Sequence, residues 1–165
     1  MTAADYAEEV KAQMREAWLP RIYCERILKM RTRAYHFGDL RPNSRVEVQH
    51  SLLGVELKVA RRRLLCPDLP TARYLSVFAR AGCKDVALPY DITLVSSLAD
   101  ELDSSWHRML LLVLHIAADK SDSFRARIRG LLIAKLRTEV AELGAGPTSP
   151  QFRQNTKQRR NNSKN

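Results

Sequence analysis

With 165 residues, 45% of them hydrophobic, the chain is long enough for one core and too apolar to be disordered throughout. Its +10 formal charge is divided unevenly: 13 Lys and Arg face 8 Asp and Glu over residues 1–66, 10 face 10 over 67–143, and 5 face none over 144–165. Cys24, Cys66 and Cys83 form no CxxC pair, which argues against a disulfide scaffold and for a reducing, cytoplasmic setting.

In chain order, residues 4–19 read as a helix of strong formers, with Val10, Met14, Ala17 and Trp18 on one side, ended by Pro20. A second helix is predicted over Arg21 to Tyr35, and residues 38–44 carry turn chemistry. Val46 and Val48, then Val55, Leu57 and Val59, alternate with polar residues as half-buried strands do. After Arg61-Arg62-Arg63 and the apolar Leu64-Leu65-Cys66, a helix is expected from Pro70 to Ala81, capped by Asp68 or Thr71 and closed by Gly82. Asp85 to Tyr90 reads as a strand, making the helix a crossover between strands. From Ile92 to Ile116 apolar residues recur at helical spacing behind Asp91 or Thr93, and Ser123 opens another helix that ends at Gly144. The short turn between them predicts an antiparallel hairpin.

The expected architecture is a small α/β domain over residues 1–143: two N-terminal helices, a small mixed sheet with one crossover helix, and the C-terminal helical hairpin. Residues 144–165 read as a disordered basic tail. The N-terminus is acidic rather than leader-like, and the most apolar run, Met109 to Ala118, is half a bilayer span. No membrane partner is therefore expected, and His115 within that run is expected in the core.

Segregated positive charge is the footprint of a nucleic-acid or acidic-surface partner. Three features could carry it. The tail offers Arg153, Lys157, Arg159, Arg160 and Lys164, with Phe152 able to stack on a base. Arg61, Arg62 and Arg63 could form a phosphate-binding ridge with Arg41 and Arg45. Because strand side chains alternate, at least one of the three must cross the sheet, find a carboxylate, or lie beyond the strand end. A purely structural role would have them tether the Asp100-Glu101-Asp103 face of the long helix. The favoured function is non-catalytic nucleic-acid binding, RNA ahead of DNA; an assembly or adaptor role through the hairpin is the alternative.

Only Glu56-Leu57-Lys58 suggests catalysis. A carboxylate and an ammonium two apart on a strand share one face, where one can hold Mg²⁺ and the other can steady a water or phosphate. With the helix, strand, Glu-x-Lys strand, helix and strand order over residues 20–90, this resembles the restriction-endonuclease-like nuclease core. That resemblance implies Mg²⁺-dependent cleavage, with Asp39 or Glu47 in the place of the Asp that precedes the Glu-x-Lys strand. The chain departs from the pattern: Asp39 lies in a turn and Glu47 is not an Asp. No metal-binding spacing, nucleophile elbow or phosphate-cradling glycine loop is found, so no cofactor and no resident metal are expected.

Overall fold

The computed structural model describes residues 1–40 and 45–146. Helix α1 spans Ala3–Met14 behind a capping box: the Asp5 N–H donates to the Thr2 hydroxyl at 3.3 Å, and the Thr2 N–H to the Asp5 carboxylate at 2.8 Å. One tight turn, Arg15–Ala17, leads to α2, Leu19–Ile22, where Pro20 occupies a first-turn position that needs no N–H. The chain then widens into a π turn, Tyr23–Ile27, whose end is marked by the Leu28 N–H donating to the Tyr23 carbonyl at 2.9 Å.

The helix predicted as far as Tyr35 therefore stops short. Thr32–His36 is a strand, β1, paired antiparallel with β5, Asp85–Pro89, from Thr32 opposite Pro89 to His36 opposite Asp85. Local propensity over 28–35 suits either state, and the distant partner strand decides it. A second antiparallel sheet has the order β2 (Val46–Ser51), β3 (Gly54–Val59), β4 (Arg62–Cys66). The turn after β2 closes on Gly54 at φ 128°, a value open to glycine and strained for other residues.

Helix α3, Leu69–Ala81, runs from this sheet to β5. Asp68 caps it, accepting from the Thr71 N–H at 2.7 Å, and Gly82 ends it in the left-handed region at φ 76°. Tyr74, Leu75, Val77, Phe78 and Ala79 are all fully buried, so α3 is enclosed almost all round rather than along one stripe. It packs on α4 on one side and on β2 and β3 on another.

Helices α4, Ile92–Ile116, and α5, Asp122–Leu143, form the expected C-terminal hairpin, and α1 lies against both arms. Val95, Leu98, Leu102, Met109 and Val113 of α4, with Ile128, Leu132, Leu136 and Val140 of α5, supply the apolar stripes. His115 is exposed, against expectation: the apolar run around it buries Met109, Val113 and Ala117 and turns Leu111, Leu114 and His115 outward. No helix among the described residues is long and apolar enough to cross a membrane.

Candidate nucleic-acid interface

The described ion pairs fall mostly among the helices. Arg73 of α3 contacts Asp100 of α4 at 2.5 Å, Arg80 contacts Asp103 at 3.1 Å, and Arg26 contacts Glu101 at 2.7 Å. Lys11 of α1 meets Glu139 of α5 at 3.1 Å, and the same carboxylate accepts from the Trp18 indole N–H at 3.2 Å. The acidic face of α4 is thus held by Arg26, Arg73 and Arg80, not by the arginine triplet.

Between residues 29 and 63 the situation reverses. Lys29, Arg31, Arg33, Arg45, Lys58, Arg61, Arg62 and Arg63 make no ion pair among the described residues. The three described carboxylates of that stretch are Asp39, taken by Lys84 at 3.1 Å, and Glu47 and Glu56.

The triplet divides as strand geometry requires. Arg61 lies in the turn between β3 and β4, beside Ala60 at φ 53°. Arg62 stands opposite Val59 on the core-facing side, at its margin, and its guanidinium donates to the Phe37 carbonyl just past β1. Arg63 faces solvent, directly opposite Lys58. Arg45 joins this end of the sheet, its carbonyl accepting from the Ala60 N–H at 2.9 Å.

The solvent face of the three-stranded sheet follows from the register. One row reads Glu47, Lys58, Arg63 and the next Gln49, Glu56, Leu65. Glu56 and Lys58 therefore share one open face, as the alternation predicted, and the register brings Glu47 onto it. Asp39 is paired instead with Lys84, next to β5. Among the described residues no group of three or more His, Cys, Asp or Glu side chains is placed to hold a metal ion.

A further cluster escaped the sequence reading because it needs β1 to be a strand. Arg31 and Arg33, two apart, project to one face, and the Tyr90 N–H donates to the Arg31 carbonyl at 3.1 Å, setting Tyr90 opposite Arg31. The two guanidinium carbons lie 5.0 and 5.8 Å from the centre of the Tyr90 ring, which keeps 49% of its surface exposed. The available signal was the alternation of Arg31 and Arg33 with Thr32 and Ala34, ahead of the β-favouring Tyr35 and Phe37.

A cleft of about 870 Å³ opens on the other side of β1, lined by Ala34, His36, Cys83, Lys84, Arg137 and Glu142 among others. Burial pushes the Cys83 thiol up to about 12, so at neutral pH it is protonated and a poor nucleophile. Arg41 and the tail residues Arg153, Lys157, Arg159, Arg160 and Lys164 lie outside the described residues. Gly146 abuts the Thr32 side chain, on the face of β1 opposite Arg31 and Arg33. Compared with known proteins, the chain matches no protein family, no curated protein and no solved structure.

Proposed function

We propose that this chain is a non-catalytic nucleic-acid-binding protein that holds the phosphate backbone with the arginines and lysines of its strand region. The observation that carries the reading is the contrast in charge pairing. Cations of the helices are neutralised internally in many cases, whereas those from Lys29 to Arg63 make no ion pair among the described residues, although Glu47 stands opposite Lys58. Lys58 and Arg63 stand directly opposite on an open face. A like-charged cross-strand pair destabilises a sheet by itself, and a bound phosphate reverses the sign of that interaction.

Contacts of this kind supply affinity and little sequence selectivity. RNA is placed ahead of DNA because arginine-rich segments with stacking and amide side chains suit irregular single strands. The three cysteines are all free thiols, in keeping with a reducing, cytoplasmic location.

The test is affinity for RNA and for DNA of one sequence, measured against salt concentration. The logarithm of the binding constant should fall steeply and linearly with that of salt, by about 0.7–0.9 per phosphate neutralised. The Lys58→Ala/Arg63→Ala variant should lower the slope by about two such steps. A flat salt dependence would refute the reading. It would turn attention to assembly through the hairpin, where Leu111 and Leu114 are 63% and 51% exposed one turn apart. Mg²⁺-dependent cleavage by the wild-type chain, lost in Glu56→Ala, would instead establish the nuclease alternative.

A further inference from the structure

Building on the nucleic-acid reading, we infer that Tyr90, flanked by Arg31 and Arg33, is a stacking site for an unpaired base, so that the preferred ligand is a single strand. Three observations converge on it. The Tyr90 ring is half open to solvent although two guanidinium groups lie within 6 Å of its centre. A large aromatic left half-exposed offers a flat apolar face, and every nucleobase has a matching one, whatever its identity.

Neither arginine is committed to a carboxylate among the described residues. The nearest acid in the chain, Asp91, is occupied as the cap of α4, accepting from the Thr93 N–H at 3.0 Å and the Thr93 hydroxyl at 2.6 Å. Arg31 and Arg33 can therefore reach the phosphates on either side of a stacked base while their own π planes extend the platform.

The surroundings suit an unpaired strand and not a duplex. Tyr90 and, two residues on, Ile92 present exposed apolar surface, at 49% and 58%. Bases paired within a helix present edges and phosphates, not faces, and leave such a patch without a partner.

The experiment is fluorescence anisotropy on the full chain with labelled oligothymidylate and with a duplex of matched length, across a range of salt. Wild type should prefer the single strand. Tyr90→Ala should weaken single-strand binding roughly tenfold, leave the salt slope unchanged, and barely affect the duplex; Tyr90→Phe should keep the affinity. Arg33→Ala should instead lower the slope by about 0.7. Thermal midpoints identify any variant that fails to fold, and Tyr90→Leu, which keeps apolar bulk but no π face, should then reproduce the tenfold loss. Unchanged single-strand affinity in a folded Tyr90→Ala chain, with salt-dependent binding intact, would overturn the stacking site and spare the phosphate-binding reading. Equal binding of polyglutamate would overturn it in favour of an acidic peptide, and no salt-dependent binding of either strand form would remove both readings.

Discussion

Tyr23 joins three segments that are far apart in the chain. Its side chain is wholly buried; the hydroxyl accepts from the Ala87 N–H at 2.9 Å and donates to the Gly144 carbonyl at 2.5 Å. Burial raises its pKa from 10.0 to about 12, against the opposing effect of the Ala87 hydrogen bond. Cys83 is raised by burial from 9.0 to about 12. Both groups thus lose their protons at lower pH when unfolded than when folded. The stability they contribute is complete below pH 9, and it is lost as the pH rises from there toward about 12. Urea midpoints measured from pH 7 to 11 should be level at first and fall above 9, and the Tyr23→Phe/Cys83→Ala double variant should show a shallower fall. No periodicity in the sequence marks Tyr23 for this role, since its partners are main-chain groups at residues 87 and 144 brought in by the fold.

Strand β5 shows how one element is completed by others. It has β1 along one edge only. On the other edge the Ala87 N–H donates to the Tyr23 hydroxyl, and the Ala87 carbonyl accepts from the Tyr74 hydroxyl at 2.6 Å. Two tyrosines thus stand in for a third strand and satisfy a backbone unit that is fully buried. Tyr23→Phe should cost about 2–3 kcal/mol, because it strands the Ala87 N–H without water, and chemical denaturation would measure it. The caps of α3 and α4 and the end of α5 were readable because Asp68, Asp91, Gly82 and Gly144 act on their own chain neighbours, whereas Ser121, read as part of a turn, is the N-cap of α5. Strand β1 was not readable: Arg31 to His36 carries both an alternating and a helical pattern, and only pairing with Val86 to Pro89 resolves them. The strand alternation of Glu56 and Lys58 was read correctly, but the position of Asp39 beside Lys84 depends on how β1 meets β5.

At the scale of the molecule, the fold returns the end of the C-terminal hairpin to β1. Gly146 has φ 96°, and a Cβ built on it would stand 2.4 Å from the Thr32 hydroxyl, so the last described residues fit closely against β1. Gly146, 114 residues beyond Thr32 in sequence, meets β1 on the face opposite Arg31 and Arg33. A chain truncated after Gly146 keeps this contact and loses all five tail cations. Its single-strand affinity should drop while Tyr90→Ala still weakens it further, and its salt slope should fall by about 0.7 for each phosphate given up. A slope unchanged by truncation would show that the tail takes no part.

The amino-acid sequence by itself determined the helical hairpin, the alternating strands, the caps of the long helices and the uneven distribution of charge. These depend on periodicity and on neighbours within about four residues, which the linear order contains. Only the tertiary structure decided that residues 32–36 are a strand, that Arg26, Arg73 and Arg80 occupy the acidic face of α4, and that Arg31, Arg33 and Tyr90 meet. Each of those depends on residues tens of positions apart meeting in the fold, which the linear order does not contain.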